Sequence, residues 1–378
     1  MPLFLSDEQT MLLDTVRPFL AEQAPVSRMR ALRDSGDSAG FSPDLWKRFA
    51  EMGFCGVLVP EADGGLGLGH VEAGIVLEEI GRNLTQSPFL ASSIGAVTAL
   101  AGGSSAQRAH WLGAIARGEA VASLAIDEAA RHRPDRIALR AERSGNGFRL
   151  TGDKTFVPHG HVADLLIVAA RTSGADGDAD GITLFAVEKG AANLSAAPER
   201  LADSSMAARL HLDGVTVDAD AVIGDVDGGR GALNRTLDAV RVGASSELLG
   251  VGAGAMHMTM DYLKQRKQFG QPIGSFQALQ HRAAHLYAEM EVARAAVLKA
   301  QQLLDANSPQ ADRAVMVAKA MSCMATRLAV QEGVQMHGGI GMTDEYDVGF
   351  FMKRQIVLAE LFGDADYHAD KLARVIGY

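Results

Sequence analysis

Cysteine is almost absent from this 378-residue chain, with Cys55 and Cys323 the only two. Two thiols cannot build a disulfide framework and show no metal-ligand spacing, so both are expected to be reduced packing residues. Long apolar runs are missing as well. No stretch reaches the roughly 18 residues that a membrane span needs. The opening MPLFLSDEQT has neither a basic n-region nor an apolar h-region, so no signal peptide is expected and a cytoplasmic location is. Positive charge is in deficit: 36 Lys and Arg stand against 46 Asp and Glu, a formal net charge of −10. That balance argues against nucleic acid as the main partner. Phosphate-cradle motifs are lacking too. The glycine-dense stretch GVLVPEADGGLGLG at 56–69 has no lysine in P-loop register and no G-x-G-x-x-G spacing, and it reads as a structural loop.

What is present is apolar mass, 47% of residues, enough for large cores in a chain whose length suggests two or three domains. Up to about residue 118, apolar residues recur at helical spacing, as in Met11, Leu12, Val16, Phe19 and Leu20, and again over 44–52 and 70–80. The middle of the chain turns to strands near 148–151, 164–170, 182–187 and 209–212, separated by Gly, Asn and Asp clusters at 144–147 and 173–181. Long amphipathic segments follow at about 234–266, 276–304 and 309–337. The expected fold is mainly α with a central antiparallel β-domain, barrel or sandwich. Its divisions are an N-terminal helical domain over 1–118, a middle β-domain over 119–228, and a C-terminal helical bundle over 229–378.

Two motifs carry the chemistry. RKQFGQPIGSFQALQH at 266–281 breaks a helical pattern with a turn punctuated by Gly270 and Pro272. Arg266 offers a planar set of donors suited to a pyrophosphate. QMHGGIGMTDEY at 335–346 sets two glycines at a helix end, where a ligand can approach the backbone closely. Taken alone, these are a polar hairpin and a helix cap. Together they resemble the acyl-CoA dehydrogenase family, whose members carry R-x-x-F-G-x-P-I-x-x-F-Q-x-x-Q and Q-x-x-G-G-x-G-x-x-x-E at these places. The V-P-E-x-x-G-G-x-G loop at 59–67 and EEIGR at 78–82 are similar to two further signatures. The resemblance covers the whole chain and implies the three-domain plan with a four-helix C-terminal bundle. It also implies FAD, an acyl-CoA substrate, and an electron-transfer flavoprotein as electron acceptor. In that family the two motifs hold the ADP half of FAD across a subunit interface. Arg266, Phe269, Gln277, Gln335, Gly338 and Gly339 are then the contact candidates, in at least a dimer.

Desaturation at α,β needs a base for the α-proton and a flavin for the β-hydride. Most of the family keeps a glutamate in a C-terminal I-Y-E-G-T loop; here ELFGDADYH at 360–368 puts Phe362 in its place. The other familiar position corresponds to Val240. Glu247 lies seven residues further along the same helix, about 700° of rotation and so nearly the same face. Its neighbours at three and four residues are Gly243, Ala244, Gly250 and Val251, none a cation. Desolvation without compensation from its own helix is expected to raise its pKa toward a useful range. The bland alternative is an exposed or capped glutamate. One branch of the family, in heteromeric enzymes for steroid side chains and dicarboxylic acyl-CoAs, carries A-x-E-x-x-G here together with L-F-G-D, and this resemblance makes Glu247 the base. Arg241 is expected to begin this helix, as a supporting residue or in a structural salt bridge.

The β-domain departs from the family pattern. T-E-P-x-A-G-S-D becomes DEAARHRPD at 127–135, keeping only Glu128 in place; the W-I-T-N strand becomes TFVPHG at 155–160, with Phe156 as the ring-side candidate. Pro158 has lost a backbone donor. Arg131 and Arg133 could serve an anionic ligand or form a solvated basic turn. This pattern looks like the small subunit of pimeloyl-CoA dehydrogenase and its relatives, which work in a heterotetramer beside a large subunit. The alternative to an enzyme is therefore a non-catalytic subunit that completes a partner's FAD site. An acyl-CoA oxidase is a further option.

Overall fold

A capping box opens the first helix: Ser6 Oγ accepts from the Gln9 N–H at 3.2 Å while the Gln9 side chain accepts from the Ser6 N–H at 2.9 Å. The structure, a computed structural model, describes residues 3–378. Eleven α-helices run through the described residues: α1 (Asp7–Gln23), α2 (Val26–Ser35), α3 (Pro43–Glu51), α4 (His70–Arg82), α5 (Val97–Leu100, entered through a π-helical segment Leu90–Ala96), α6 (Ser105–Ala116), α7 (Arg230–Gln265), α8 (Gln277–Asp305), α9 (Ala311–His337), α10 (Val348–Glu360) and α11 (Ala365–Ile376). The strands are β1 (Ala122–Ala125), β2 (Arg140–Ser144), β3 (Gly147–Pro158), β4 (Leu165–Arg171), β5 (Ile182–Glu188), β6 (Leu194–Arg200), β7 (Met206–Val217), β8 (Val222–Ile223), β9 (Lys267–Gln268) and β10 (Gln271–Pro272).

The chain divides into two compact units. One takes the segments up to Ala31, His70–Thr85 and Arg241–Tyr378; the other takes Leu32–Gly69 and Gln86–Val240. In the first unit α4 meets α7 backbone to backbone. A Cβ on Gly250 would come within 1.8 Å of the Glu78 carbonyl, and one on Gly81 within 2.1 Å of the Glu247 carbonyl. Only glycine permits such a crossing. Around it lie Leu248, Val251, Ala255, Cys323, Val330, Phe351 and Leu358 in one cluster, and Val242, Leu249, Met290, Val297 and Val315 in another.

In the second unit the sheet runs β6-β7-β3-β2-β4-β5-β8, with β1 beside β4. It is largely antiparallel; β1 runs parallel to β4, and so does the single β2–β4 pair Arg140–Arg171. Phe148, Leu150, Val157, Val168, Phe185 and Leu210 fill its core. Cys55 and Cys323 are buried free thiols, and burial pushes the Cys55 thiol up.

Several element limits differ from the expected ones. α7 starts at Arg230 rather than near 234. β3 continues to Pro158 instead of ending at Thr151, because Lys154 turns inward to an internal partner and so breaks the apolar alternation without ending the strand. β2 has a single apolar residue, Ala141, and β6 only a short alternation through Leu194 and Ala196, too little to mark either as a strand.

Candidate active site

Glu247 is 2% exposed on α7. Its Oε1 accepts from Arg354 Nε at 2.9 Å and also from Arg354 Nη2, both donated from α10. The expected uncompensated carboxylate is therefore corrected. Its own helix supplies no cation, but α10, 107 positions away in sequence, does. Charge-assisted bonds of this kind are what a buried carboxylate needs. The preceding residues are tied down as well: Ser245 Oγ donates to the Arg241 carbonyl at 2.7 Å, and Ser246 Oγ, which accepts from Gln301 Nε2 at 2.9 Å, donates to the Val242 carbonyl at 2.9 Å.

Arg241 lies well inside α7 rather than at its beginning, and is 1% exposed. Its Nε donates to the Phe362 carbonyl at 3.1 Å, Nη2 reaches Tyr367 Oη at 3.4 Å, and the guanidinium stands 5.7 Å from the Tyr367 ring centroid. Phe362 is buried at φ 62° and Gly363 follows at φ 101°. A Cβ at 363 would come within 2.4 Å of the Tyr367 ring, so the turn admits glycine only. Arg241 thus acts on the turn that carries Phe362, where most of the family has its base.

The 266–281 motif folds as a two-strand hairpin. β9 and β10 pair Gln268 with Gln271 and Lys267 with Pro272, and the Ile273 N–H closes back on the Arg266 carbonyl at 2.8 Å. Both turn residues have positive φ, Phe269 at 53° and Gly270 at 81°, the requirement of a type I′ turn. Phe269 is left 92% exposed, its ring touched edge-on by Phe276. Arg266 and Gln277 are exposed at the two ends of the hairpin. Gln335 is exposed on the last turn of α9, which ends at Gly338 with φ 64°; a Cβ on Gly338 or Gly339 would meet nothing within 4 Å. The backbone at these two glycines is open to close approach.

His337, which the sequence reading passed over, supports this end. Its ring is buried between Tyr262 (centroids 4.5 Å apart) and Tyr346 (4.8 Å), with Nδ1 donating to the Gly333 carbonyl at 2.7 Å. Burial pulls its imidazole below the ordinary histidine range, only partly offset by that bond. A histidine within a Q-M-H-G-G run was the available signal.

The β-domain candidates divide. The Glu128 carboxylate accepts from the backbone N–H groups of Ala138 (2.7 Å) and Leu139 (3.0 Å) and from Lys154 Nζ at 2.8 Å. These internal bonds occupy it, so its geometry is that of a loop anchor. Phe156, at φ 52° and 39% exposed, remains available to a ring. Asp127 holds His132 at 2.8 Å, which leaves Arg131 and Arg133 exposed on a fixed loop.

The chain belongs to the acyl-CoA dehydrogenase family: the N-terminal domain of that family matches residues 6–119, the middle domain 132–215 and the C-terminal domain 227–377. It is 30% identical to the mitochondrial isovaleryl-CoA dehydrogenase of Pongo abelii, over 96% of this chain and 90% of that protein. Among solved structures it is similar to a variant of the Tcur3481-Tcur3483 steroid ACAD, at 30% identity and TM-score 0.87 over 98% of each chain. It is also similar to the ChsE4-ChsE5 complex from Mycobacterium tuberculosis, at 26% identity and TM-score 0.90 over 100% of this chain and 99% of that one. Acyl-CoA dehydrogenases are FAD-binding oxidoreductases that dehydrogenate acyl-CoA thioesters. Among the described residues, no helix is long and apolar enough to cross a membrane.

Proposed function

We propose that this chain carries out α,β-desaturation of an acyl-CoA, with Glu247 accepting the α-proton. The observation that carries this reading is the buried Glu247 carboxylate gripped by Arg354 on the α7 face that also holds Val240, the family's alternative base position. Arg354 Nε and Nη2 both donate to Glu247 Oε1, which holds the carboxyl group in one orientation, and a base has to be fixed before it acts. Arg241 braces the Phe362 turn so that no second carboxylate is offered from that side.

When bound, FAD supplies the two-electron acceptor for the β-hydride. Arg266, Phe269, Gln277, Gln335, Gly338 and Gly339 would hold its ADP half. The exposed guanidinium and the open glycine backbone suit a pyrophosphate. Phe156 would lie against the ring, and an electron-transfer flavoprotein would take the electrons. The division into 1–118, 119–228 and 229–378 assigns these tasks to separate domains. A bulky, branched, cyclic or long acyl group is expected to suit the site better than butyryl, consistent with the isovaleryl and steroid relatives.

A second reading has its own support. Glu128 is occupied by Ala138, Leu139 and Lys154, and Pro158 has no N–H, while the hairpin and glycine cradle remain intact. That combination suits a small subunit that completes a partner's FAD site in a heterotetramer. The test is flavin content and flavin bleaching by an acyl-CoA panel, with the chain alone and with any co-purifying dehydrogenase subunit. The desaturase reading expects Glu247→Gln to keep flavin and fold and to lose roughly 10²–10⁴-fold in flavin reduction. Near-normal reduction in that variant removes Glu247 from the mechanism.

A further inference from the structure

Lys319, on α9, is fully buried, and the charges acting on it include the Asp364 carboxylate and the Arg241 guanidinium. Its ammonium donates to the carbonyls of Leu358 at 3.1 Å, Ala359 at 2.9 Å and Gly363 at 2.8 Å, with Cys323 Sγ 3.4 Å away. An ammonium has three N–H bonds, and here three carbonyls and the Cys323 sulfur compete for them. Those of Leu358 and Ala359 belong to the last turn of α10, whose final C=O groups have no donors within the helix. The helix leaves its end through Leu361 in an extended conformation, so no left-handed glycine cap satisfies them at that residue. A cation here also complements the helix dipole.

The third carbonyl belongs to the turn beyond. Its neighbour, the Phe362 carbonyl, is taken from the other side by Arg241 Nε at 3.1 Å and lies 3.2 Å from His368 Nε2. Successive carbonyls are thus gripped by two different buried cations. Between them lie the two positive-φ residues, Phe362 at 62° and Gly363 at 101°. A phenylalanine stays in that region only where its surroundings over-determine the backbone.

We infer that Lys319 is a positioning residue for the Leu361–Gly363 turn, which it locks as a rigid, uncharged wall beside the acyl group. It touches no reacting atom. Its effect is on substrate scope: a fixed Phe362–Gly363 wall leaves the α-proton to α7 and defines the room for the acyl chain. This use of the turn rests on the desaturase reading; the locking of the turn does not.

The experiment uses the full chain with Lys319→Met and Lys319→Arg. Hydrogen exchange should accelerate at least about tenfold at the amides of Leu361, Gly363, Tyr367 and His368, whose acceptors are Val357, Glu360 and Asp364. Protection in α7, α8 and most of α9 should hold, and Lys319→Arg, which keeps donors, should recover part of the loss. In flavin-loaded protein, KM for a branched acyl-CoA should rise about tenfold while kcat changes less than about twofold. Unchanged exchange at those four amides in a folded Lys319→Met overturns the proposal. So does a fall in kcat with KM unmoved. If Lys319→Met does not fold, Lys319→Gln, with two amide donors, replaces it and is read the same way; loss of protection spread evenly over the bundle then counts against a positioning role. The exchange measurement needs no activity, so a catalytically silent chain defeats the desaturase reading without deciding this one.

Discussion

At the scale of single residues, charge burial dominates the bundle. Arg354 lies beside Glu247 with little solvent access, its side chain 19% exposed and that of Glu247 2%. Removing one partner of a buried pair strands the other, at about 3–5 kcal/mol, with the lower end applying where the survivor can reach water. Arg354→Met strands the more buried group and should therefore destabilise more than Glu247→Gln, whose amide still accepts a hydrogen bond. Denaturant midpoints of the two variants check this order, and the reverse order would mean that Arg354 is solvated in solution. His337 adds a pH dependence. Its folded-state proton affinity is lowered below the ordinary value of 6.5 by burial. The unfolded chain then binds more protons below that pH, and stability should fall as pH drops through 6.5. His337→Phe keeps the stack with Tyr262 and Tyr346 and should flatten the urea midpoint between pH 7.5 and 5.5 relative to the parent chain. An equal pH slope in both proteins would assign the loss to other groups.

At the scale of elements, the helix crossing at Gly81 and Gly250 sets where Glu247 stands. A methyl at 250 overlaps the Glu78 carbonyl, with a separation of 1.8 Å. Backbone cannot yield as a side-chain tip can, so Gly250→Ala should push α4 from α7 and cost at least the 1–3 kcal/mol usual for overpacking, about the upper end here. A melting temperature within a degree of the parent would contradict the close crossing. Much of this element was legible beforehand. The glycine-rich stripe, the Val240–Glu247 periodicity and the absence of a cation at three or four residues are local properties of one helix. The partner that compensates Glu247 was not legible, because periodicity on α7 says nothing of which side chain α10 delivers. The same limit hid Lys154: three residues past the expected strand end at Thr151, it is the inward partner of Glu128, and that partnership engages the Glu128 carboxylate inside its own domain. Motifs in contiguous sequence, the 266–281 hairpin and the glycine pair at 338–339, were readable because their geometry is set locally by positive-φ residues.

At the scale of the whole molecule, the 266–281 hairpin presents an aromatic side chain to solvent. Phe269 is held at positive φ with 92% of its surface in solvent. A strained backbone and an exposed aromatic both cost stability, and such features persist where they serve a ligand or a partner. Arg266 and Gln277 flank the same hairpin, both exposed. If this surface holds the ADP half of FAD in an assembled oligomer, its parts should separate by mutation. Arg266→Ala removes the phosphate donor alone, and should lower the flavin-to-protein ratio severalfold while leaving the secondary structure and the size of the assembly unchanged. Phe269→Ala removes the contact surface, and should weaken both flavin retention and assembly. The measurement is absorbance-based flavin stoichiometry alongside sedimentation or native mass, for the chain alone and for the chain co-expressed with a large dehydrogenase subunit. A mass fitting two copies of each subunit, with flavin present only in the mixed assembly, favours the small-subunit reading. A flavin-loaded homo-oligomer favours the self-sufficient enzyme. Full flavin occupancy in Arg266→Ala under both conditions would take the hairpin out of cofactor binding altogether.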